Sequence, residues 1–153
     1  MKKLIFFAKK QNMSIKEIQD TIIEEFSMFD DWMDKYNYLI EISKDIPDID
    51  PKFKTEEYLI SGCQSRVWLR ADKRDDKVVF TADSDAIIVK GIIALLIRVM
   101  SERTPKELME TDLFFIDQIG LKQNLSPTRS NGLLAMIKQM KLYAIAYNAK
   151  QND

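Results

Sequence analysis

The chain has 153 residues, a length that fits one domain, and its 46% hydrophobic and 31% charged residues suit a fold able to bury a core. Lys and Arg number 23 against 24 Asp and Glu, so no basic excess points to nucleic acid. One cysteine and no histidine exclude an internal disulfide, a metal or cluster cage of this chain's own thiols, and every Ser/His or Cys/His arrangement.

Residues 1–12, MKKLIFFAKKQN, carry Lys2, Lys3, Lys9 and Lys10 and no acid. They have the outline of a secretion signal, but the apolar stretch Leu4 to Ala8 falls short of the roughly 7–15 residues a signal core needs. No small-residue cleavage site follows. The segment reads as an extension ahead of a single domain over 13–150, with Met13-Ser14 as an alternative beginning. Elsewhere the longest apolar run, Ile92 to Ile97, is far below the roughly 18 residues of a membrane span. The expectation is a cytoplasmic protein that binds neither nucleic acid nor membrane.

Ser14-Ile15-Lys16-Glu17 is a capping-box pattern, and Ile15, Ile18, Ile22, Phe26 and Phe29 follow at helical spacing. A second helix starts near Asp30-Asp31 and should carry Trp32, Tyr36, Leu39 and Ile40 inward. Pro47 and Pro51 end it and open an irregular stretch through Lys54. From Ser65 the period becomes two: Ser65, Val67, Leu69 and Ala71 share one face, and Arg66, Trp68, Arg70 and Asp72 the other. Arg74-Asp75-Asp76 turns the chain into a paired antiparallel strand over Val78 to Ala82. Asp83-Ser84-Asp85 offers an N-cap for a helix from Ala86 to about Met100 that is apolar nearly all round, as a central buried helix is. Thr104-Pro105-Lys106-Glu107 starts a short helix, a second follows around Phe114 to Ile119, and Gly120 closes it. Ser126-Pro127 opens the last helix, with Leu133, Leu134, Ile137, Met140 and Ile145 expected on its buried side. Helices, a small antiparallel sheet, then helices again make an α+β domain.

Cys63 lies in Ile60-Ser61-Gly62-Cys63-Gln64-Ser65, where Ser61 and Gly62 permit an exposed turn with the sulfur at a loop tip. Free cysteine is also among the most buried residue types and is usually an inert small hydrophobe, so composition and spacing leave its role open. Arg66 and Arg129 would stabilise a thiolate if they lay nearby, and would otherwise be ordinary exposed cations. Lys90, alone in an apolar helix, reads as snorkelling, because four unclustered glycines offer no phosphate-cradling loop for a Schiff-base cofactor. Asp83 and Asp85 stand close enough for weak metal binding, yet capping accounts for them better.

Three stretches narrow the choice. Ser61-Gly62-Cys63-Gln64-Ser65-Arg66-Val67-Trp68, Asp83-Ser84-Asp85-Ala86-Ile87-Ile88-Val89-Lys90-Gly91 and Leu125-Ser126-Pro127-Thr128-Arg129-Ser130-Asn131-Gly132-Leu133 resemble, in order, the blocks of the SufE/CsdE family of sulfur acceptors. The resemblance covers about Ile15 to Ala149. It implies an α+β fold like that of the U-type iron–sulfur scaffolds. It also implies that Cys63 accepts persulfide sulfur from a SufS-type, pyridoxal-phosphate-dependent cysteine desulfurase, stimulates that enzyme and passes the sulfur toward iron–sulfur cluster assembly. Asp85 matches a position at or near the desulfurase contact, and Arg129 one kept close to the cysteine loop. Arg66 stands where related proteins often have glutamine.

On this reading the chain is a sulfur carrier with a covalent intermediate rather than a stand-alone enzyme. It holds no cofactor or metal itself, works as monomer or homodimer, and meets two partners, the desulfurase and a downstream scaffold. The rivals are an allosteric activator of the desulfurase with a structural Cys63, and a cluster scaffold pairing two chains through Cys63. One ligand per chain disfavours the scaffold.

Overall fold

The computed structural model describes residues 13–151, so the expected extension over 1–12 lies outside the described residues. Helix α1 (Ile15–Ser27) begins with the capping box: Ser14 Oγ accepts from the Glu17 N–H at 3.0 Å, and the Glu17 carboxylate accepts from the Ser14 N–H. Its inward stripe is Ile18, Ile22 and Phe26. Helix α2 (Trp32–Ser43) is capped by Asp31, and it buries Leu39 and Ile42. Trp32, Tyr36 and Ile40, expected inside, are only half-buried. The Trp32 and Tyr36 rings meet at a tilt with centroids 5.6 Å apart, and the Tyr36 hydroxyl donates to the Asn124 carbonyl. A half-buried phenol needs such a partner, so this end of α2 packs against the edge of the core and closes over the turn at Lys122–Asn124.

Two single-turn 3-10 helices, Pro51–Phe53 and Glu56–Tyr58, lead to strand β1 (Val67–Arg74), which pairs antiparallel with β2 (Lys77–Ser84) from Val67↔Ser84 to Arg74↔Lys77. Asp75, at φ 55°, makes the turn between them. Val67, Leu69, Ala71, Val78, Phe80 and Ala82 face the core, as the alternation predicts. A two-stranded sheet exposes two edges, and here both are covered. Along β2, Ala82 bonds Pro47 and Ile49, Val78 bonds Glu102 and Arg103, and the Phe80 N–H donates to Ser101 Oγ. Along β1, Val67 O accepts from the Ile60 N–H, and the carbonyls of Leu69 and Ala71 accept from tyrosine hydroxyls.

Helix α3 (Ile87–Met100) buries ten of its fourteen residues and forms the centre of the fold. The cap expected from Asp83 and Asp85 is absent. Ala86 holds the N-cap position with no side-chain bond, and Ser84 Oγ accepts from the Ala86 N–H instead. Both aspartates are turned to other partners described below. Helix α4 (Pro105–Glu110) carries the expected Thr104–Glu107 box, and α5 (Phe115–Gln118) leads to Gly120, whose φ of 71° lets the chain reverse.

Helix α6 (Pro127–Gln151) packs through Leu133, Met136, Met140 and Ala144. Leu134 and Ile145, expected on that side, are each 49% exposed, and Ile137 is half-buried. The cause is the phase of the helix. Gly132 and Tyr143 face the Cys63 loop and the β1 edge, and Leu134 and Ile145 each follow by two residues, about 200° round the axis. The architecture is α+β, a two-stranded antiparallel sheet and helices around one core. No helix among the described residues is long and apolar enough to cross a membrane.

Candidate functional site

The loop carrying Cys63 is closed at its base by the Ile60 N–H donating to Val67 O at 2.9 Å. Gly62 sits at φ 91°, a conformation other residues rarely adopt, and there the chain turns back on itself. A Cβ on Gly62 would lie 3.4 Å from Ala135 Cβ, and one on Gly132 would lie 3.5 Å from Cys63 Sγ. The loop therefore rests on a notch of small residues in α6.

The sulfur is not at a loop tip. Cys63 is half-buried, packs against the core, and its thiol points to the Gly132 carbonyl at 3.6 Å. Burial pushes the thiol pKa up, because the anion loses solvation there and the neutral form does not.

Beside the sulfur is a cavity of about 430 Å³. The loop supplies Cys63 and Ser65, α3 supplies Val89, Ser126 comes from just before α6, and α6 supplies Arg129 and Met136. Arg129 stands in the first turn of α6, its N–H donating to Ser126 Oγ at 3.3 Å, with its side chain exposed at the cavity. Two residues more than sixty positions apart thus share one cavity wall. Arg66 and Asp85 do not line it. They meet each other: the Arg66 N–H donates to Asp85 Oδ1 at 3.0 Å, the Asp85 N–H donates to Arg66 O at 3.2 Å, and Ser84 Oγ donates to the same carbonyl. Asp85 caps the start of β1 rather than the helix after it. An acid just ahead of a helix has the same sequence signature in both cases.

Sequence reasoning also missed what holds the outer face of the hairpin. Asp83 pairs with Lys90 Nζ at 3.1 Å and with Lys54. Lys90 therefore does not simply snorkel. Burial would raise the Asp83 pKa, but hydrogen bonds from Lys54, the Ser84 N–H and Lys90 outweigh it and hold the carboxyl below its ordinary range. Gly132 and Ala135, the seat of the loop, gave no chemical signal, since small residues mark a close approach only once the approaching segment is known. Among the described residues, no group of three or more Cys, Asp or Glu is placed to hold a metal ion.

Residues 20–144 match the SufE family, described as an Fe–S metabolism associated domain. The chain is 39% identical over 127 residues to an uncharacterized SufE-like protein of Rhizobium etli, covering 80% of this chain and 86% of that one. An uncharacterized SufE-like protein of Rhizobium meliloti is 37% identical, covering 80% and 91%. A SufE-like protein of Arabidopsis thaliana, named as chloroplastic/mitochondrial, is 38% identical over 133 residues, covering 86% of this chain and 36% of its own. Among solved structures, the solution structure of a hypothetical protein from Thermus thermophilus superposes with a TM-score of 0.71 at 21% identity, covering 86% and 96%, a likeness of fold. With a match across most of its length, and relatives this similar over most of theirs, the chain belongs to the SufE family.

Proposed function

We propose that this protein accepts sulfur on Cys63 from a SufS-type cysteine desulfurase, stimulates that enzyme by emptying it, and delivers the sulfur to iron–sulfur cluster assembly in the cytoplasm. The observation that carries the reading is the seating of the chain's one thiol at a cavity shared with Arg129. The pyridoxal phosphate belongs to the desulfurase, where it supports C–S bond cleavage.

The transfer is a thiol–disulfide type exchange. Cys63 first gives its proton to solvent. Its thiolate attacks the outer sulfur of the desulfurase persulfide, a new S–S bond forms at Cys63, and the desulfurase cysteine departs as thiolate. Charge and sulfur both balance, and no second cysteine, base or metal is required of this chain.

An unperturbed thiol is only a few per cent ionised at pH 7, and burial lowers that share further. The inward seat therefore makes the resting sulfur less reactive and partly covers a persulfide against oxidants. Leaving the seat returns the thiol to water, where it ionises more readily and can attack the partner's persulfide. The test is intact-mass measurement after incubation with a desulfurase, its cofactor and cysteine. Addition of one or more sulfur atoms, removed by reducing agent, is expected; an unchanged mass overturns the proposal.

On this reading Arg129, whose side chain lines the same cavity as Cys63, meets the anionic sulfur during transfer. Arg129→Ala is expected to slow persulfide appearance in a single turnover about tenfold, the loss of roughly one charge-assisted contact. Its melt should hardly move, since the side chain is exposed. Arg129→Lys should rescue only partly, because lysine lacks the planar fork. An unchanged rate removes Arg129 from the site.

Asp85 and the neighbouring Arg66 lie on the surface that, on this reading, meets the desulfurase. Asp85→Arg is expected to change affinity or stimulation while costing about 1 kcal/mol for the lost bond to the Arg66 N–H. Binding and stimulation equal to the parent's would leave Asp85 a cap alone.

A further inference from the structure

Three carbonyls point outward along the edge of β1 away from β2. Val67 O accepts from the Ile60 N–H at 2.9 Å, Leu69 O from the Tyr143 hydroxyl at 3.0 Å, and Ala71 O from the Tyr147 hydroxyl at 3.0 Å. Alternate residues of a strand repeat about every 6.7 Å, and residues four apart on a helix rise about 6 Å. The two tyrosines therefore match the carbonyl row without distorting either element.

Burial raises the pKa of both phenols, so both remain protonated donors well above neutrality. The same helix carries Gly132, whose carbonyl receives the Cys63 thiol. Gly132 precedes Tyr143 by eleven residues, about three turns, so both lie on nearly one face of α6. The base of the Cys63 loop, at Val67, belongs to the same carbonyl row that the tyrosines hold.

We infer that Tyr143 and Tyr147 are positioning residues: they fix the register of α6 along β1, and that register brings Gly132 under Cys63. Neither tyrosine lines the cavity, so both act through the helix. The loop is referenced to β1 and its seat to α6. A slip between the two separates the sulfur from the Gly132 carbonyl and unseats the loop. As a device for sulfur transfer this rests on the function proposed above; the register of the seat does not.

Alkylation of Cys63 by iodoacetamide tests it without any desulfurase. The labelling site is unambiguous, because the chain has one cysteine. In the Tyr143→Phe/Tyr147→Phe protein, alkylation at neutral pH is expected to be about tenfold faster, with each single variant intermediate. The pH midpoint of alkylation should fall toward that of an ordinary solvated thiol. Arg129, the charged side chain lining the cavity, is retained in all of them.

Ser14→Ala, which removes the cap of a helix that does not line the cavity, controls for general destabilisation and should leave rate and midpoint unchanged. Each protein is measured well below its melting temperature, and if the double variant fails to fold the single variants decide. Rates and midpoints equal to the parent's in the phenylalanine variants, or an equal acceleration in Ser14→Ala, overturn the inference. Failure of the desulfurase to load Cys63 would refute the sulfur-acceptor reading and leave this result standing.

Discussion

Cys63→Ala is expected to remain folded and to lose sulfur loading completely. The chain has no other thiol, so no second residue can substitute at a reduced rate. Structurally the change is mild. The lost sulfur is half-buried, its one polar contact among the described residues is the long approach to the Gly132 carbonyl, and alanine fits the same backbone. Removing a group of that size from a half-covered site costs about 1 kcal/mol or less. Intact mass after desulfurase treatment should stay at the unmodified value at every time point. A gain of sulfur by the alanine protein would show that Cys63 is not the acceptor.

Cys63→Ser separates the carrier from its allosteric rival. Serine keeps the shape of the side chain but cannot form a persulfide. A carrier that works by emptying the desulfurase cysteine loses its stimulation with this change. A protein that acts only by contact keeps it in full. The same preparation thus distinguishes chemistry from docking, provided its melt matches the parent's.

The elements most legible in the sequence were those whose determinants are local. The boxes at Ser14–Glu17 and Thr104–Glu107 each satisfy orphan helix donors within four residues, so they predict helix starts without knowledge of the fold. The hairpin was legible because alternation from Val67 to Ala71 and the aspartates at 75 and 76 require no distant partner. Helix α6 was misread in phase. Apolar side chains occur almost all round it, so spacing alone could not say that Leu133, Met136, Met140 and Ala144 face inward while Leu134 and Ile145 do not. The seat of Cys63 was illegible for a related reason: it depends on Gly132 and Ala135, about seventy positions away, and on a turn that returns the sulfur toward them. The pairing of Arg129 with the Cys63 loop came from resemblance to a family, not from any pattern in these residues.

Gly91→Ala offers the sharpest test of the packing that holds this arrangement, because two ordinary considerations predict opposite signs. In a helix interior, alanine is more favourable than glycine by about 1 kcal/mol, partly because glycine has more freedom to lose on folding. Gly91 lies inside α3, so propensity alone predicts a more stable protein. The packing predicts the reverse. A Cβ on Gly91 would stand 2.3 Å from the carbonyl oxygen of Leu39 and 2.9 Å from its carbonyl carbon. These are backbone atoms of α2, and no rotamer can move them aside. Relief requires α2 to lift from α3, although Leu39 is itself fully buried in the core. Overpacking of this kind costs typically 1–3 kcal/mol and sometimes more, and contact with rigid backbone belongs at the upper end. A net loss of about 2 kcal/mol is expected after the propensity gain, lowering the melting temperature by roughly 4–8 °C for a chain of this size. The displacement should also reach the site, since Val89, two residues earlier on α3, lines the cavity beside Cys63. Faster alkylation of Cys63 at temperatures well below the melt is therefore expected to accompany the loss of stability. A melting temperature at or above the parent's would mean that α2 and α3 do not approach as closely as the fold described here requires.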